Sequence, residues 1–214
     1  MSDEERLRYA NSGMNLGKVA VWVVGTSFAW AIFAFVTLML YANNPVLPRA
    51  IVGAFTGAIF GALAGSAQWP LIRSRFEGAA WWVPATSFGW LCAGVLVPLM
   101  GEVIDRRVKI GLDYEVGIAA AGLVVGILQT FFYRGGRQKV IWLIFTLLAW
   151  GAAGFASWSL YETLTLGQVF DSLSVPGWTD QVAAEAASGL LGSVIGGLLV
   201  GVVTLFAFRA SVKR

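Results

Sequence analysis

The side chains best placed to do chemistry here are two glutamines, a threonine and three tryptophans. Gln68 stands five residues before Arg73, and Trp82 follows at roughly the same depth in the next apolar stretch. Gln129 stands in the same relation to Arg134 and Trp142. An amide oxygen accepts and an indole N–H donates, so each pair can close one hydrogen bond. In an apolar medium an unpaired polar group is costly, which favours the pairing. The spacing therefore predicts that Gln68 accepts from Trp82 and Gln129 from Trp142. Thr204 holds the corresponding place in the last apolar stretch and is expected to face Trp22, joining the two ends of the chain. This chemistry ties helices together and transforms no substrate.

The residues of catalysis are missing from the places that need them. The chain has no histidine, which removes the usual general base, the commonest metal ligand and the usual haem ligand. No Asp, Glu, Lys or Arg lies within an apolar stretch, apart from Glu185 at the edge of the last one. Proton relays, ion-coupled transporters and voltage sensors rely on such groups. Serines and threonines occur there without a base to activate them. The glycines are spaced for helix packing and not as a phosphate loop after a strand. Cys92 is the one cysteine, so an intrachain disulfide is ruled out, and it reads as a small packing residue. The expectation is a protein that is not an enzyme, with no metal site and no cofactor. Lipid or pigment is the one ligand class left open.

The elements that position these residues follow from hydropathy. Of 214 residues, 57% are hydrophobic and 13% charged, against roughly a quarter charged in a soluble domain. The charges are clustered between long apolar stretches at 19–41, 50–72, 79–101, 116–133, 140–161 and 186–208. Each is near the ~20 residues that cross a hydrocarbon core of ~30 Å as a helix. Barrel strands would be half as long and would alternate, which these do not. The sequence predicts an all-α integral membrane protein with about six transmembrane helices. The polar, acidic start Met1–Arg6 and the length of the first apolar run do not resemble a cleavable leader.

Eleven of the fifteen Lys and Arg fall on one side: Arg6, Arg8, Lys18, Arg73, Arg75, Arg134, Arg137, Lys139, Arg209, Lys213 and Arg214. Arg49, Arg106, Arg107 and Lys109 fall on the other. The positive-inside rule then places both termini in the cytoplasm. The net charge of +3 comes from these short flanks and does not point to nucleic acid. The outer connections lengthen along the chain: 42–49, 102–115 and 162–185. The third contains a Leu-Gly-Gln-Val-Phe-Asp-Ser-Leu stretch, read as a short surface helix and as the best docking place for a partner.

The strongest signal is an internal repeat. Trp22, Trp82 and Trp142 are 60 residues apart; so are Trp30, Trp90 and Trp150, with Thr26, Thr86 and Thr146 in register between them. In the even stretches Gly61, Gly65, Gln68 and Arg73 recur as Gly122, Gly126, Gln129 and Arg134, and again as Gly197, Gly201, Thr204 and Arg209. Three tandem hairpins result: 19–72, 79–133 and 140–208, preceded by a cytoplasmic segment 1–18 and followed by a tail 209–214. A pseudo-threefold bundle is their natural arrangement. Gly61, Gly65 and Gln68 share one helix face, as do their counterparts, and small residues four apart promote close helix packing. Trp22 is placed at the inner interface near Lys18, where an amphipathic ring is favoured. Trp30 lies about 12 Å deeper at 1.5 Å per residue. It either packs on a neighbour's glycine face or lines a pigment, quinone or lipid site, packing being the simpler reading.

The junction Gly61, Gly65, Gln68, Trp69, Arg73, then Trp81, Trp82, Gly89 and Trp90, resembles small uncharacterised bacterial multi-pass membrane proteins. Their hairpins repeat GxxxGxxQWxxxR and WWxxxxxxGW. The match weakens at the second junction, where Thr130 and Ala149 stand for Trp and Gly. The resemblance implies a multi-pass protein of the bacterial inner membrane and carries no catalytic residue. The expected role is a non-catalytic accessory or scaffold subunit of a larger respiratory or photosynthetic complex, with the bilayer and other membrane subunits as partners. The alternatives are a channel or carrier for a neutral or apolar solute, and a pigment- or lipid-binding protein.

Overall fold

The structure is a computed structural model that describes residues 16–43, 48–73, 76, 78–107, 113–133, 135–166 and 180–212. Nearly all of these residues are helical. Helix α1 spans Leu16–Asn43, α2 Arg49–Ile72, α3 Trp82–Arg107, α4 Asp113–Thr130, α5 Gly136–Leu166 and α6 Asp180–Val212. A single 3₁₀ turn, Ala79–Trp81, leads into α3. Gly78 precedes it at φ 75°, a left-handed conformation open to glycine, and its carbonyl accepts from the N–H of Trp81.

Among the described residues, five stretches are long and apolar enough to cross a membrane: Leu16–Thr37, Arg49–Ile72, Ala79–Leu99, Gly136–Ser157 and Leu190–Arg209. In the expected span at 116–133, the described apolar stretch Gly117–Thr130 is shorter. All of α4 has 18 residues, about 27 Å at 1.5 Å per residue. Two expected connections are also partly helical. Helix α3 runs on to Arg107 and α4 begins at Asp113; α5 runs on to Leu166 and α6 begins at Asp180. Polar residues at these ends extend the helices beyond the apolar runs that revealed them. Apart from Leu166, the expected surface helix at 166–173 lies outside the described residues, as do the segment 1–15, Arg75, Arg134, Lys213 and Arg214.

Each helix packs on its neighbours in the chain, and α1 also packs on α6, so the six close into a ring. The most extensive contact is α2 with α3, and the least extensive is α1 with α2. Glycine explains the first. A Cβ on Gly53 would overlap the Gly94 carbonyl, and one on Gly94 would overlap that of Gly53. The two backbones meet directly, which replaces side-chain padding with dense dispersion contact. The ring encloses two layers of buried side chains. One is built around Trp30, Trp90, Trp150 and Phe60. The other is built around Trp22, Trp82, Trp142, Tyr133 and Phe208. Large apolar residues such as Phe28, Phe55, Phe88, Phe155 and Phe206 cover the outside.

Candidate functional site

Several of the polar side chains buried in the bundle bond one helix to another. Trp82 Nε1 donates to Gln68 Oε1 at 3.1 Å, and Trp142 Nε1 donates to Gln129 Oε1 at 3.2 Å. Trp22 Nε1 donates to Thr204 Oγ1 at 3.2 Å across the α1–α6 seam. The three pairs drawn from spacing alone are therefore present. Trp22 is turned into the bundle. It is fully buried, because its N–H needs Thr204 and its ring packs on Phe208 at 5.4 Å. The exposed indole at this end is that of Trp81, 70% accessible.

Gln129 does more than the sequence suggested. Its Nε2 donates to Thr86 Oγ1 at 3.0 Å, and Thr86 Oγ1 in turn donates to the Trp82 carbonyl at 2.8 Å. A hydrogen-bonded chain thus runs from Trp142 on α5 through Gln129 and Thr86 to Trp82 and Gln68 on α2. It is not continued around the ring. Thr26 and Thr146, the counterparts of Thr86, carry buried hydroxyls with no partner. For Thr146 the cause is visible in the repeat. The residue that would reach it from α6 is Thr204, two methylenes shorter than glutamine, and its hydroxyl proton goes to its own Val200 carbonyl at 2.6 Å.

A second set of polar ties was missed. Ser27 Oγ donates to the Val194 carbonyl and Ser87 Oγ to that of Ala58, both at 2.8 Å. Ser27 and Ser87 are 60 residues apart, and Ala58 and Val194 are 136 apart, which are the repeat spacings. The signal was the pattern W-x3-T-S, broken in the third copy by Leu147.

The repeated glycines meet the odd helices. Cβ atoms built on Gly61, Gly122 and Gly197 would lie 2.5 Å from the Thr86 carbonyl oxygen, Trp150 Cβ and Ser27 Cα respectively. Gly65, Gly126 and Gly201 face Val83, Thr146 and Val23 in the same manner. The glycine faces are thus occupied by neighbouring helices, and Trp30 and Trp150 pack against them.

At the centre, the Trp30, Trp90 and Trp150 rings form a triangle with centroids 5.8, 5.1 and 4.5 Å apart. Phe60 touches all three, at 5.3, 4.5 and 5.8 Å. Phe33 stacks on Trp30 at 5.2 Å. Each aromatic pair of this kind adds about 0.5–1.5 kcal/mol beyond area burial. The counterparts of Phe60 are Ala121 and Gly196, and those of Phe33 are Ala93 and Ala153. Phe60, Ala93, Ala121 and Ala153 are buried in the same cluster, where one large ring sits among small residues.

Trp30 Nε1 has no partner in this apolar centre. Among the described residues no group of three His, Cys, Asp or Glu gathers as a metal site. Cys92 is half-buried on α3. Compared with known protein families, with curated proteins and with solved structures, the chain matches none.

Proposed function

We propose that this chain is a six-span protein of the bacterial inner membrane, built as three hairpins about a pseudo-threefold axis, with both termini in the cytoplasm. We further propose that it is a non-catalytic accessory or scaffold subunit of a larger respiratory or photosynthetic membrane complex. The observation that carries this reading is the filled centre. Trp30, Trp90, Trp150, Phe33 and Phe60 occupy the place where a carrier for a neutral solute would need a passage. Buried Gln, Thr and Ser side chains are bonded to neighbouring helices, which suits a rigid body. The outer surface is broadly apolar and aromatic, suited to lipid and to other spanning subunits. Helix α4 supports a sixth span through the hydrogen-bonded turns that follow it at Phe131–Tyr133, which lengthen its reach, and a short span is accommodated by local thinning of the bilayer.

The test is mild-detergent extraction from native membranes, followed by a native gel, mass spectrometry and an absorption spectrum of the band. Co-migration with a larger complex is the expected result. A small colourless band holding this chain alone would overturn the accessory reading and return attention to solute flux in liposomes.

A further inference from the structure

The three hairpins differ in how tightly their own two helices close. In the third, a Cβ on Gly192 would lie 2.7 Å from the Ser157 carbonyl oxygen, and Gly196 sits against Ala153 and Ser157. In the second, Gly117 sits against Val97. The first hairpin carries Thr56 where these have Gly117 and Gly192, and Phe60 where they have Ala121 and Gly196. Phe33 replaces Ala93 and Ala153 on the facing helix. Helices α1 and α2 are pinched together at Gly25 and Ala67, where a Cβ on Gly25 would lie 2.5 Å from Ala67 Cβ. Beyond the pinch the Phe33 and Phe60 rings wedge them apart.

A crevice of about 40 Å³ results, lined by Ile32, Phe33, Val36, Thr56, Ile59, Phe60 and Leu63. Its one polar wall residue is Thr56, whose hydroxyl is already bonded to the Val52 carbonyl at 2.8 Å. The crevice therefore offers nothing to a polar ligand. It is continuous with the apolar outer surface through Ile59 and Leu63, each 41% accessible, and Phe55 beside them. Where the third hairpin sets Gly192 on the Ser157 backbone and the second sets Gly117 on Val97, the first has side chains on both helices.

We infer that this crevice binds one hydrocarbon chain of a bilayer phospholipid, entering laterally between α1 and α2 and ending against Phe33 and Phe60. The inference rests on the membrane-spanning reading above. The crevice has room for water but an almost wholly apolar wall, and it opens on the apolar outer surface, where a methylene chain is the filler that a bilayer supplies. Among the described residues, the Phe33–Phe60 wedge belongs to the first hairpin.

The test uses the full chain in phosphatidylcholine nanodiscs doped with phosphatidylcholine carrying a mid-chain diazirine. After illumination, the labelled residues are mapped by mass spectrometry. Label is expected severalfold richer on 32–36 and 59–63 than on outward residues of α5 such as Ile144 and Leu148, which are equally or more exposed. Ile59→Trp fills the crevice and is expected to cut that label severalfold; Leu63→Phe serves if the first variant does not fold. Label spread evenly over α1, α2 and α5, or unchanged in the filling variant, would overturn the crevice site while leaving the membrane reading intact. A chain that stays outside the discs would overturn both.

Discussion

Gln129 donates to Thr86 at 3.0 Å and accepts from Trp142 at 3.2 Å, so one amide holds the helices on both sides of it. Gln68 holds its place in the first hairpin and bonds Trp82. The two glutamines are therefore unequal. Gln129→Leu is expected to destabilise by about 2 kcal/mol and Gln68→Leu by about 1 kcal/mol, since the first removes two hydrogen bonds and the second one, while the Thr86 hydroxyl keeps its bond to the Trp82 carbonyl. Unfolding in mixed micelles with rising sodium dodecyl sulfate measures both. Equal costs would mean that the Gln129–Thr86 bond contributes nothing.

Thr204 marks the gap in the hydrogen-bonded chain. Thr204→Gln is expected to keep a partner for Trp22 and to reach the orphaned Thr146 hydroxyl, raising stability by about 1 kcal/mol. A thermal melt in detergent reads the change. In a Thr146→Val background the gain should vanish, and a gain that persists would point to packing instead.

The glycines can be ranked by what they touch. Gly94→Ala drives a methyl into the Gly53 carbonyl and is expected to cost about 2–3 kcal/mol. Gly151→Ala would meet only Ala119 Cβ at 3.6 Å, an ordinary contact, and is expected to stay within about 0.5 kcal/mol of the parent. Comparing the two by the same unfolding titration separates close helix approach from a general cost of losing glycine.

Phe60 and its counterpart Ala121 test the common axis. Phe60→Ala is expected to cost about 3 kcal/mol through the cavity left among three tryptophans. Ala121→Phe alone overfills the same space, at about 1–3 kcal/mol. The double variant moves the ring from one hairpin to the next and should be more stable than Phe60→Ala alone. Simple additivity would show that the two positions do not share a space.

The repeat made much of this site readable in advance. Trp, Gly and Gln are distinctive residues, and identical spacing across copies placed each at a common depth. Depth alone was enough to pair Gln68 with Trp82 and Thr204 with Trp22. The Gln129–Thr86 bond escaped because Thr86 was in register without being assigned a partner, although it lies on the helix preceding Gln129 at a similar depth. Ser27 and Ser87 escaped because Leu147 breaks their pattern. The central phenylalanines escaped for a deeper reason. Searching for a repeat rewards identity, whereas positions crowded around one axis must differ in size. Nearness to Lys18 placed Trp22 by depth along the helix, and its bond to Thr204 turns it inward.

The Trp22–Thr204 bond spans 182 residues of sequence. At ribosomal speeds of about 5–20 residues per second, its acceptor emerges roughly 10–35 s after its donor. Throughout that delay the first helix is held by its loosest seam, the one with α2, while the glycine-locked pair α2–α3 is already complete. Until α6 is made, the side of α1 that carries Trp22 therefore lacks the helix that covers it in the finished chain.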